Sequence, residues 1–475
     1  MKRKNKKHTS MSRRRFIGTT SCATISSTTL FSSILNLGVT NSLVAGTKAS
    51  FNHPDDYKAL VCILLSGGND SFNMLVPYDN ANYNIYAKTR SNLAIPHNQL
   101  LKLGNQRQDG RQFGLHPSMP EVQQLFNNGK LSFISNIGTL VEPMTKLQYL
   151  RKQKMVPVGL LSHADQAQQW MTAIPQTRSS KGWGGRMADI IQSGNSNKNI
   201  SMNISLSGTN IFQVGDNAIE YAIRASTGGS VGINALQSNA PLDKILQGGV
   251  SSLLEHQYKD IFKSTFAKKI AHAQHNHLEF SSALSNVSSL QSSFSDNNIS
   301  ANFALIAKTI AARNILGMRR QTFFINFTGW DHHDMVLQNQ RSMLATLSKA
   351  LGEFQNALEE LKIADRVTTF TISDFGRTLT SNGNGSDHAW GGNVMIMGDG
   401  VNGGKIYGNY PSLALNSNTD IGGAIMIPTT STDEYFAEIA QWFGIQDGDL
   451  EYVLPNINRF YDPKSKDSPI GFMKT

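Results

Sequence analysis

Residues 58–68, KALVCILLSGG, decide the fold class of this chain. Ala59 to Leu65 are apolar without alternation, the pattern of a strand buried on both faces rather than one with a wet side. Two glycines follow and let the backbone turn sharply, presenting Asn69, Asp70 and Ser71 at the strand end. Three β-like runs of this kind end on an aspartate: Val61 to Asp70, Thr322 to Asp331 and Val367 to Asp374. Parallel strands line up their carboxyl ends along one rim, where open α/β sheets bind ligands, so residues remote in sequence converge there. The expectation is one Asp/His metal pocket at one sheet edge.

Further strands are expected at 131–137, 199–206, 322–327, 367–373 and 393–398, separated by helical patterns around 119–128, 165–171, 185–191, 302–318, 343–361 and 433–442. That alternation predicts an α/β fold: a doubly wound, mostly parallel sheet with helices on both faces. Between about 207 and 297 the composition shifts to Asn, Ser, Gly and Gln, and this stretch reads as a polar helical insertion or cap. Its histidines His272, His275 and His277 read as a solvated helix face.

The formal charge of +10 invites a nucleic-acid reading. Eight of the 44 Lys and Arg residues, however, fall within residues 1–45, which hold no acid; without them 36 basic residues face 34 acidic ones. A chain so balanced has no broad basic face for a phosphate backbone, so no nucleic-acid partner is expected. Residues 1–45 read as an export leader: a cationic start, Ser12-Arg13-Arg14-Arg15-Phe16-Ile17, and a Ser/Thr-rich apolar stretch too interrupted to span a bilayer. The motif resembles a twin-arginine (Tat) signal, which implies the Tat export machinery as a partner and a periplasmic or extracellular destination. Cleavage after Ala45 or Ala49 would discard Cys22 and leave 46–475 as a single domain without an integral membrane span. Cys62, alone and inside the first strand, is expected to pack in the core.

Phe327-Thr-Gly-Trp-Asp331-His332-His333-Asp334 is dense in groups that bind divalent ions. In an extended stretch Asp331 and His333 share a face and His332 points away, so Asp331 and His333 are the expected ligands. Ser373-Asp374-Phe375-Gly376-Arg377-Thr378 and Ser386-Asp387-His388 follow; Asp374 leaves one strand and His388 precedes another. Arg377 could fork onto an anionic oxygen pair or pair with a carboxylate. Ser162-His163-Ala-Asp165 fits an N-cap with Asp165 at N3, while a serine beside a metal could also act as a nucleophile.

Taken in order, GGNDSFNMLVP (67–77), Ser162-His163 with Trp170, GWDHH (329–333), SDFGRT (373–378) and SDHAWGGN (386–393) resemble the domain of unknown function 1501 family, itself related to alkaline phosphatases and sulfatases. The resemblance spans 58–460. It implies metal ligands at Asp70, Asp331, His333, Asp374 and His388 and a nucleophile at Ser162; an enzyme built on these would have His163 or His332 to move protons and Asn69 and Arg377 to contact substrate. One or two divalent ions (Zn, Mn, Mg or Ca) would be held. The phosphatase pattern has His directly after the aspartate of its second metal site, whereas this chain has Phe375 after Asp374, leaving that site short of a ligand. The functional expectation is an exported metal-dependent hydrolase of phosphate or sulfate esters; the alternative is a non-catalytic binding or structural protein that keeps the fold.

Overall fold

In a computed structural model, residues 56–104, 110–232 and 241–474 are described. The leader, with its twin-arginine motif, Cys22, Ala45 and Ala49, lies outside the described residues. The strands are β1 (Lys58–Ser66), β2 (Leu75–Pro77), β3 (Leu101–Lys102), β4 (Phe113–Leu115), β5 (Leu131–Gly138), β6 (Asn203–Ser205), β7 (Tyr221–Ala222), β8 (Arg320–Thr328), β9 (Val367–Ser373), β10 (Gly392–Met397), β11 (Ile406–Tyr407) and β12 (Thr430–Ser431). The main sheet runs β11-β5-β10-β9-β1-β8-β6-β7, with β12 also on β5, while β2, β4 and β3 form a small sheet apart. Every pairing in the main sheet is parallel except those of β10, which runs against β9 and β5.

The unbroken apolar run of β1 has a direct physical cause. Its alternate residues Ala59, Val61, Ile63 and Leu65 enter one core and Leu60, Cys62 and Leu64 the other, so both faces are dry. Over the first face lie helices Pro120–Asn127, Asn298–Ala311 and Val336–Glu360, through residues such as Phe126, Phe303 and Phe354. Over the second lie α1 (His163–Thr172), α2 (Trp183–Ile191) and the helix Thr432–Phe443, where Trp183 stacks on Phe436 with ring centroids 4.4 Å apart. Each fully buried Leu, Ile, Val or Phe contributes about 1.5–3 kcal/mol. Cys62 is a free, fully buried core residue.

The helix expected over 302–318 ends at Ala311, because a run of turns closes on Gly317, whose φ of +61° is left-handed. Within 207–297, Tyr221–Ala222 joins the sheet edge, and two helices follow, Pro241–Glu255 and Ile261–Ser285. His277 differs from the solvated reading: it is buried, its Nδ1 2.8 Å from Ser230 Oγ. Among the described residues no helix is long and apolar enough to cross a membrane.

Candidate metal centre

Register brings the three aspartate-bearing ends to one level. Leu65 of β1 pairs with Phe327 of β8 and with Ser373 of β9, so the segments after these strands leave the sheet side by side. His388 reaches the same rim because β10 is reversed: the residues just before it lie where the parallel strands end. His163, the first residue of α1, completes the group from above the second sheet face.

Four side chains converge there. His163 Nε2 lies 3.0 Å from His388 Nε2, and His333 Nε2 lies 2.9 Å from the same atom. Asp331 faces all three, with Oδ2 3.4 Å from His163 Nε2 and Oδ1 3.1 Å from His333 Nε2 and 3.6 Å from His388 Nε2. The other ring nitrogen of each histidine is anchored: His163 Nδ1 on Asp374 Oδ2 at 2.8 Å, His333 Nδ1 on Asp387 Oδ1 at 3.0 Å and His388 Nδ1 on the Leu161 carbonyl at 2.9 Å. A carboxylate or carbonyl oxygen accepts, so in the neutral rings each Nδ1 carries the proton and each Nε2 presents a lone pair. The Arg377 guanidinium already reaches two of these groups, through Nη2 on Asp331 Oδ1 and Nη1 3.5 Å from His333 Nε2. The lone pairs of His163 and His388 beside the Asp331 carboxylate are relieved by a further cation among them. With metal–ligand bonds of about 2.1 Å, donors are ~3.0 Å apart at an octahedral edge and ~3.4 Å at a tetrahedral one; the separations here bracket both values. The ligand atoms of His163, Asp331 and His388 all lie within 4.8 Å of one another and fit a divalent ion, with His333 beside them against His388 and Asp331. Anchoring of ligand histidines by carboxylates or carbonyls is the usual outer shell of such a site.

Beneath the cluster the floor is buried. Arg377 donates from Nε to Gly68 O at 2.9 Å, from Nη1 to Ser386 O at 2.9 Å, and from Nη2 to Gly67 O at 2.6 Å and to Asp331 Oδ1. Phe375 packs under His163 and His388, with ring centroids 4.7 Å from each. Gly67 and Gly68 make room: at φ +120° and +84°, an added Cβ would lie 2.4 Å from Asp331 N and 2.5 Å from the Phe375 ring respectively. Burial lifts the Asp331 carboxyl, but the Arg377 hydrogen bond and the facing histidines outweigh it and hold the group below its ordinary value. Burial raises Asp374 despite its bond from His163, and lowers His388, which favours the neutral ring.

A family model described as "Protein of unknown function (DUF1501)" matches residues 57–454. The chain belongs to the DUF1501 family. No curated protein matches it. Among solved structures, Ps i-CgsB in complex with k-i-k-neocarrahexaose aligns at 10% identity and a TM-score of 0.34, covering 86% of this chain and 78% of that one. The soluble domain of lipooligosaccharide phosphoethanolamine transferase A from Neisseria meningitidis aligns at 8% identity and a TM-score of 0.33, covering 83% and 90%.

In this DUF1501 chain the remaining expected site residues are not among the donors that face one another, although Asp374 and Arg377 touch them. Asp70 is fully buried, its Oδ2 accepting from Arg90 Nη2 at 2.5 Å and from Ser386 Oγ at 3.0 Å. Asp374 contributes through His163, and its Oδ2 also accepts from Gly67 N at 3.0 Å. Asn69, 2% exposed, donates its N–H to Ser373 Oγ at 2.9 Å, and the Arg377 guanidinium is sealed under Asp331. Ser162 is the N-cap residue of α1 without a side-chain capping bond; it hydrogen-bonds Asp165, a carboxylate held low first by Arg178 and then by this contact. His332, next to the cluster in sequence, is buried with neither ring nitrogen paired.

Three participants carry no assignment in the sequence reading. Asp387 had a usable signal, since it stands beside His388. The Leu161 carbonyl and Arg90 had none, because a main-chain acceptor has no residue signature and Arg90 meets Asp70 only through the packing of its helix, Asn80–Arg90.

Proposed function

We propose that this DUF1501 protein is a metal-dependent hydrolase of phosphate or sulfate esters, with its ion held by His163, Asp331, His333 and His388. The observation that carries the reading is the convergence of three Nε2 lone pairs on one carboxylate, with each Nδ1 tied down. An ion bound there would act as a Lewis acid on an ester oxygen. His163 serves as a ligand rather than a free proton carrier, because both ring nitrogens are committed. Ser162 stands one residue before His163 at the start of α1, where a helix N-terminus favours an anionic group, and it is the proposed nucleophile. Attack by its Oγ on the phosphorus or sulfur would break the bond to the ester's alcohol oxygen, the alcohol leaving with the proton given up by the serine. Water would then cleave the serine ester to release phosphate or sulfate and restore the hydroxyl. Export through the Tat route is part of the same proposal.

A second reading, a non-catalytic member that binds one ion, draws on two residues. Phe375 occupies a ligand position of the phosphatase pattern, and the Arg90 guanidinium already neutralises Asp70. Metal content of the purified protein and a panel of phosphate and sulfate esters, with Asp331→Asn and Ser162→Ala beside the parent, separate the two. Stoichiometric divalent metal with chelator-sensitive turnover supports the hydrolase; metal without turnover supports the second reading. A protein that binds no divalent ion refutes both, and full activity in Ser162→Ala refutes the serine alone.

A further inference from the structure

The two helices that follow β7, α3 (Pro241–Glu255) and α4 (Ile261–Ser285), form a hairpin with an unusual surface. Its root is fixed: Phe280 packs on Tyr221 with centroids 5.3 Å apart, Asn276 donates to Asn199 O at 2.6 Å, and Ala273, Ala283 and Leu284 are buried. Its free end is apolar and bare. Phe262 is 83% exposed, Ile261 73%, Leu253 62% and Phe266 58%, all close to the turn between the helices. Residues 262, 266, 273, 280 and 284 follow the spacing of one helical face, so the stripe that anchors α4 at its far half continues uncovered towards the turn. An apolar cluster of this size on a soluble surface marks an interaction site.

The charges around it identify the occupant. Lys259, Lys263, Lys268 and Lys269 lie within eleven residues, against Asp260 alone, and Asp260 is engaged as the α4 N-cap, accepting from Lys263 N at 2.8 Å. This local excess stands out on a chain that is otherwise balanced outside residues 1–45. Bare phenylalanine and isoleucine ringed by lysines match the boundary of an anionic bilayer: the rings enter the acyl region while the long lysine side chains reach back to headgroup phosphates. Neither helix can span a membrane. We propose that the tip of the α3–α4 hairpin docks the protein on an anionic lipid surface by shallow insertion of Ile261, Phe262 and Phe266.

The test is co-sedimentation of the full chain with vesicles of phosphatidylglycerol and phosphatidylcholine, or of phosphatidylcholine alone. The parent, Phe262→Ser/Phe266→Ser and Lys259→Glu/Lys263→Glu are compared, all sharing the same basic N-terminal segment. Binding to the anionic vesicles should fall at least about tenfold in each double variant, with circular dichroism and melting temperature unchanged because the altered side chains are exposed. The proposal is overturned by parent-like binding in Phe262→Ser/Phe266→Ser, by equal binding to neutral vesicles, or by no binding at all. A concentration-dependent dimer that the phenylalanine variant abolishes, in a chain that ignores vesicles, would assign the tip to a second copy instead.

Discussion

Replacing Asp374 by Asn tests whether the cluster is built to hold an ion. The Asp374 side chain is 2% exposed, and its Oδ2 accepts from both His163 Nδ1 at 2.8 Å and Gly67 N at 3.0 Å. An amide oxygen in the same place keeps both bonds and the tautomer of His163, but removes the negative charge that makes His163 Nε2 a better donor. Loss of such an outer-shell partner costs about 10–100-fold in metal affinity, and preserved geometry puts Asp374→Asn near the lower end. Each tenfold loss removes about 1.4 kcal/mol of metal-linked stability when the ion is in large excess over its Kd. Chelator competition reads the affinity, and urea unfolding with and without Zn²⁺ reads the linkage. The expected result is a stability deficit of about that size in the metal-loaded protein and a much smaller one in the metal-free protein. Affinity within twofold of the parent would refute the argument, as would equal deficits in the two states, which would make Asp374 a structural residue only.

Gly67→Ala places a Cβ 2.4 Å from the Asp331 backbone nitrogen at a left-handed φ, so it should displace Asp331 and lower metal binding more than it lowers overall helix content; chelator competition and circular dichroism check this together. Arg90→Met leaves Asp70 as an uncompensated buried charge and should cost roughly 3–5 kcal/mol in urea unfolding, most of which Arg90→Met/Asp70→Leu should restore. Burial, with a smaller push from Glu434, lifts the Asp433 carboxyl up to about 8, and neither of its oxygens has a partner. The folded chain therefore holds a proton that the unfolded chain gives up near pH 4, so stability should fall as pH rises from about 4 to 8 and level off above it. Asp433→Asn should flatten that part of the urea-midpoint profile, and an unchanged slope would refute the assignment.

How much of the site was legible follows from the range over which each signal acts. Strand ends such as Ser373-Asp374 and the ligand-dense stretch Asp331–His333 are local, and the period-two alternation separates His333 from His332 as in the structure. The grouping of His163 with Asp331 and His388 is not local: these residues are brought within a few ångströms by strand order and by a helix that starts over the rim. The partner of Asp70 was equally hidden, since Arg90 reads as an ordinary basic residue in the last turn of a helix.

The amino-acid sequence by itself determined that the sheet is buried on both faces, because continuous apolar runs such as Ala59–Leu65 have no wet side to offer. It also determined which segments carry ligand-type side chains, since strand ends and glycine turns are written in short stretches of chain. Only the tertiary structure decided which of these meet. Had β10 run parallel to its neighbours, His388 would lie at the opposite edge of the sheet. Its reversal places the histidine on the same rim as Asp331, and strand direction is fixed by long-range packing and hydrogen bonding that no local stretch encodes.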